Sequence, residues 1–169
     1  MYTVRCTRKL LRRMGTNIGH EDLLPTTALG DWYANLLNVS HLRLVHFVSD
    51  HSLLSVIVPF KTIKTVTERH LVALRDLLTA LGMDRAIIDA ELNEMQIHSI
   101  GKTQSRSVLG SMRDLALNAW SVIETNPQAS ILDISYQLSE ILCGPIGMAH
   151  PREIAEALLV KRHTGRPIT

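Results

Sequence analysis

Between Leu42 and Pro59 the chain alternates with a period of two and is apolar on both faces; beyond Lys61 the apolar residues recur every three to four positions instead. That change of period confines the fold. The first pattern suits strands covered on both sides, and the second suits amphipathic helices that supply the cover. A block of strands followed by a block of helices is the signature of an α+β domain. Leu42–Val48 and Leu53–Pro59 read as a hairpin around Ser49-Asp50-His51-Ser52, with Val45 and Phe47 on one face and Leu42, Leu44, His46 and Val48 on the other. Apolar residues on both faces make this pair the expected centre of the sheet.

Tyr2–Cys6 reads as a short strand, followed by a helix capped by Thr7, carrying Leu10, Leu11 and Met14 inward and stopped by Gly15. Residues 15–28, rich in Gly, Thr, Asn and Pro, read as a loop, and 32–39 as a strand. Helices are expected over Thr67–Leu81 (stripe Leu71, Leu74, Leu78, Leu81), Asp84–Met95, Ser107–Thr125, Ser130–Leu142 and Pro151–Val160, with a further strand at Gln96–Ile100 and a frayed end from His163. No repeat or linker divides the chain, so residues 1–169 are expected to form one domain: a small, mainly antiparallel sheet covered by four or five helices, helix-rich in its C-terminal half.

Composition removes several function classes. Only 4% of residues are aromatic, too few for an extensive stacking platform for single-stranded nucleic acid. No apolar run reaches the roughly 18 to 20 residues of a membrane helix, and the basic opening lacks the apolar core of a signal peptide, so a cytoplasmic protein with no membrane partner is expected. Cys6 and Cys143 share no metal-ligand or redox spacing and read as reduced, buried thiols. The eight histidines match no zinc pattern, so neither metal nor cofactor is expected. His46, on an apolar face, reads as a hydrogen-bonded core histidine.

Net charge is only +2, but residues 1–20 hold five cations (Arg5, Arg8, Lys9, Arg12, Arg13) and no acid, and Lys161, Arg162 and Arg166 form a second basic run. Basic ends on an acidic body fit contact with nucleic acid or an acidic protein, and equally a solvated helix and tail. Lys102, Thr103, Ser105, Arg106 and Ser107 stand just before the long helix, where free backbone N–H groups, the helix dipole, two cations and three hydroxyls can hold an anion. The alternative is that Ser105 or Ser107 simply caps the helix. Asp31, Trp32 and Asn35 follow Gly30; one of the aromatics Trp32 and Tyr33 would face a pocket there, or Trp32 packs while Asp31 and Asn35 bond turn backbone.

Three stretches, Arg5-Cys6-Thr7-Arg8-Lys9-Leu10-Leu11, Leu29-Gly30-Asp31-Trp32-Tyr33-Ala34-Asn35-Leu36-Leu37 and Lys102 to Met112, resemble the landmarks of a bacterial family known only as a domain of unknown function. The chain departs from that pattern at Leu42-Arg43-Leu44-Val45-His46, where similar proteins are more basic. The resemblance implies a bacterial domain and no activity.

These features lead to the expectation of an anion-recognising binding module, taking nucleic-acid phosphate or an acidic protein through Arg5, Lys9, Lys102, Ser105 and Arg106. Two other readings stand beside it. One is a small metal-independent nuclease of a toxin–antitoxin or mobile-element system, with His46 as acid–base group among those cations. The other is a protein-binding antitoxin or assembly subunit, homo- or hetero-oligomeric, presenting the Leu-rich face of 130–160.

Overall fold

The computed structural model describes residues 1–15, 24–61 and 65–165. Most of the expected loop at 15–28 and the last four residues of the expected frayed end lie outside the described residues.

Five strands form one mixed sheet: β1 (Tyr2–Cys6), β2 (Trp32–Val39), β3 (Leu42–Ser49), β4 (Ser55–Pro59) and β5 (His98–Lys102), in the order β4-β3-β2-β1-β5. Antiparallel ladders join β2 to β3 and β3 to β4, while β1 runs parallel to both β2 and β5. Six α-helices accompany it among the described residues: α1 (Arg8–Met14), α2 (Val66–Ala80), α3 (Arg85–Glu94), α4 (Arg106–Thr125), α5 (Ile131–Ser139) and α6 (Pro151–Thr164). The fold is α+β with its helices concentrated in the C-terminal half.

Strand alternation divides the side chains between two cores. Val4, Cys6, Trp32, Ala34, Val45, Phe47 and Val56 point to a first face, packed by α1, α2, α3 and α6. Tyr33, Leu44, Val48 and Ile57 point to a second face, packed by α4 and α5. Helical cover on both sides explains why β3 and β4 carry apolar side chains on both faces. The inference that both are central was therefore wrong for β4. It is an edge strand, its outward Ile57 amide met by the Ser135 hydroxyl of α5 at 3.1 Å.

Local signals set the element ends. Thr7 caps α1 and Gly15, at φ +57°, closes it; Asp84, Ser105 and Ser130 cap α3, α4 and α5 through their side chains. The buried stripe of α2 runs through His70, Leu74, Leu77 and Leu78, with Leu71 and Leu81 at its margins. α5 stops at Ser139, three residues before the expected end, whereas α6 continues to Thr164 and takes His163 into the helix. Both thiols are free; Cys6 belongs to the first core and Cys143 to the second, so the sheet separates them.

The approach to β2 is held from several directions. The Glu91 carboxylate, almost fully buried, accepts the amides of Ala28 (2.9 Å) and Leu29 (3.0 Å), and Thr27 donates its hydroxyl to the Gly30 carbonyl. Gly30 has φ +74°, and a methyl group there would lie 2.1 Å from the Asp50 carboxylate and 2.7 Å from the His51 ring. Gly30→Ala is therefore expected to destabilise by about 1–3 kcal/mol, from left-handed strain and displacement of both side chains. A shift in the urea midpoint measures it.

Candidate functional site

The neighbouring parallel strands β1 and β5 send their following helices to opposite faces of the sheet: α1 to the first and α4 to the second. Where adjacent parallel strands diverge in this way, a crevice opens at their carboxyl ends. Loops and helix starts at this end are the natural place for recognition chemistry.

The three stretches singled out in the sequence meet here. Arg5 and Asp31 form an ion pair, Nε to Oδ2 at 2.7 Å, with the two residues only 7% and 3% exposed. The other Asp31 oxygen accepts the Thr3 amide at 2.8 Å. Arg5 also reaches the Lys102 carbonyl at 3.4 Å, linking β1 to the end of β5. Gly101, beneath, leaves room for this: a Cβ there would stand 2.9 Å from the Thr3 methyl. Asn35 accepts the Thr7 hydroxyl at 2.7 Å, and the Tyr33 phenol accepts the Ser105 amide at 2.9 Å. Much of this set is thus a structural lock that registers two helix starts against the sheet.

Trp32 and Tyr33 part company as strand neighbours must. Trp32 is fully buried in the first core, its ring edge-on to His70 with centroids 4.5 Å apart. Its role is packing. Asp31 and Asn35 bond β1 and its continuation, where turn backbone was the expected partner.

At the start of α4, Ser105 is the cap: its hydroxyl accepts the Val108 amide at 3.2 Å. The Ser105 and Val108 amides are thereby satisfied, whereas those of Arg106 and Ser107 have no acceptor among the described residues, and both residues are exposed. Lys102 is exposed as well, and neither it nor Arg106 pairs with a carboxylate among the described residues. Thr103 is half-buried beside them.

Lys9 does not join this group. It lines a separate pocket of about 340 Å³ on the first face, with residues of the β2–β3 turn and none from 102–107. The expected composite site accordingly resolves into two places at one end of the sheet. The intervening surface is basic. Residues 7–15, 40–43, 60–61 and 102–109, which end or follow β1, β2, β4 and β5, contain Arg8, Lys9, Arg12, Arg13, Arg43, Lys61, Lys102 and Arg106 and no Asp or Glu. Arg43 and His41 were missed in the sequence; the signal was a cation interrupting the apolar entry to a strand.

The histidines near the hairpin scatter. His41 lies in the β2–β3 turn, His51 in the β3–β4 turn at the opposite end, and His46 is enclosed, with Nε2 3.0 Å from the Ser55 hydroxyl. Burial pushes the His46 imidazole down to about 4.

The family model described as "Domain of unknown function (DUF6933)" matches residues 3–154. The chain belongs to that family. The DUF6933 match takes in β1 from Thr3, the other four strands, α1 to α5 and the first turn of α6, so the lock between β1, β2 and the start of α4 lies wholly within it. No curated protein and no solved structure matches the chain.

Proposed function

We propose that this DUF6933 protein is an anion-recognising binding module, and that the group it takes at the start of α4 is a phosphate of nucleic acid. The observation that carries this is the pair of open, exposed amides at Arg106 and Ser107, flanked by Lys102 and Arg106 with no carboxylate of the described chain bound to them. Helix-terminal N–H groups and the dipole of a 20-residue helix favour an anion there. The surrounding run of cations without acids adds a wider attractive field. A phosphodiester's two non-bridging oxygens can take both amides as a carboxylate's can; phosphate is favoured because a nucleic-acid chain lays successive charges along the surrounding cations.

Among the alternatives, the nuclease reading needs an acid–base group at the phosphate, and His46 is enclosed on the second face. The protein-binding reading relied on the 130–160 face, where Ile134, Leu138, Ala155 and Leu159 are buried in this chain's own cores.

Fluorescence anisotropy with a labelled single-stranded RNA and a labelled poly-glutamate peptide tests the proposal. RNA is expected to bind with a logarithmic salt dependence, and the Lys102→Gln/Arg106→Gln double variant to weaken it and flatten the slope by about one to two units. Tighter binding of the peptide, or RNA binding that ignores both substitutions, overturns the assignment.

A further inference from the structure

Where β2 and β3 turn and β4 ends, the first face of the sheet carries a concavity beside α1. The pocket of about 340 Å³ lies there, within the size range of small-ligand sites. Its floor carries Leu36 and Phe60, apolar and largely enclosed; strand pairing puts Asn38 opposite Arg43 and Arg43 beside Phe60. Its rim carries Lys9 and Arg13, one helical turn apart on α1, together with His41 from the turn and Arg43 from the start of β3. Among the described residues its lining holds no acid, and none of the four rim side chains forms an ion pair or hydrogen bond.

The turn that closes the pocket is built at a conformational disadvantage. Val39 pairs with Leu42, so Ser40 and His41 form a two-residue loop, and Ser40 alone of the two has positive φ, at +52°. Glycine is the residue that such a hairpin position favours. Ser40 instead places a hydroxyl on the pocket lining. A strained residue of this kind at a concave, one-signed site is characteristic of a ligand clamp.

We infer that this pocket binds a compact phosphomonoester with a flat apolar portion, of the nucleoside monophosphate type. Three permanent cations without a counter-charge suit a dianion, and two of them are arginines whose planar forks match phosphate oxygens. The Phe60 ring and Leu36 provide an apolar surface for a base, with Arg43 beside it. The site is separate from the start of α4, on the other face of the sheet, and does not depend on phosphate binding there.

Isothermal titration with adenosine monophosphate, inorganic phosphate and adenosine tests it. The monophosphate is expected to bind at least tenfold more tightly than either fragment. Arg43→Gln and Arg13→Gln, both at exposed positions, each weaken it about tenfold, while Arg106→Gln leaves it unchanged. Ser40→Gly is expected to raise the melting temperature and weaken the monophosphate. If phosphate alone binds as well as the nucleotide, the apolar half of the assignment fails; if adenosine does, the phosphate half fails. Equal losses from Arg43→Gln and Arg106→Gln would reduce the effect to general charge attraction, and no binding at millimolar ligand overturns the site altogether. RNA binding lost with the α4 substitutions but kept in Arg43→Gln is the result expected of two separate sites; joined to an absence of monophosphate binding, it would leave the α4 proposal standing while the pocket falls.

Discussion

Asp31→Ala is expected to lower the stability of the folded chain by about 3–5 kcal/mol, the cost of breaking a buried ion pair by removing one partner. The Asp31 carboxylate binds Arg5 at 2.7 Å and the Thr3 amide at 2.8 Å, and removing it strands both donors in a region from which water is excluded. Against the roughly 5–15 kcal/mol that holds a domain together, this loss is a large fraction. Two companion variants separate the causes. Asp31→Asn keeps an acceptor for Thr3 but not the charge, so its loss is smaller. Arg5→Met with Asp31→Leu removes both charges and recovers part of the Asp31→Ala loss, because an apolar pair needs no desolvation of ions. Urea titrations at pH 7 with a common m-value read all three. A loss below about 1 kcal/mol for Asp31→Ala, the range of an exposed pair, would show that water reaches the site.

The same ion pair shows what the sequence carried and what it concealed. Arg5 and Asp31 were both marked as candidate binders because charged residues beside a strand and a glycine invite a ligand. Their pairing was invisible, since it follows from β1 lying parallel to β2, and no local pattern reports which strands are neighbours. β5, paired with β1 across more than ninety residues, poses the same difficulty. Features encoded within a few residues were legible: the Thr7 and Ser105 caps, the Gly15 stop and the face division of β3 at Val45 and Phe47. Two apolar faces said correctly that β4 is covered, yet could not distinguish a central strand from an edge strand tucked between α2 and α5. The pocket was hidden for a related reason. Lys9 and Arg13 look like solvated helix residues until the hairpin that brings Arg43 opposite them is placed.

Acidification from pH 7 to pH 5 is expected to cost the fold about 4 kcal/mol, and two buried histidines on opposite faces of the sheet are the cause. The His70 ring is stacked on Phe47 with centroids 4.2 Å apart, edge-on to Trp32, and neither of its nitrogens has a hydrogen-bond partner among the described residues. Burial, with a smaller contribution from His98, pushes it from 6.5 down to about 3; burial pushes His46 from 6.5 to about 4. A base whose pKa is depressed by folding is protonated first in the unfolded chain. Its contribution is complete above pH 6.5 and is lost as the pH falls toward the folded value, at about 1.4 kcal/mol per unit for each ring. Half-buried Asp50 and buried Glu91 shift upward and act the other way, taking up protons more readily in the folded chain, so they offset part of the loss at the acid end of this range. His70→Leu, close to the same volume and with nothing to protonate, is expected to lose about 2 kcal/mol less than the parent between pH 7 and pH 5. Adding His46→Leu leaves the Ser55 hydroxyl without its partner, so that variant is judged by its pH slope, which flattens further because the two rings lie on opposite faces of the sheet. Parallel stability–pH curves for parent and His70→Leu would mean that the ring acquires its proton without unfolding, through a core that admits water beside Trp32.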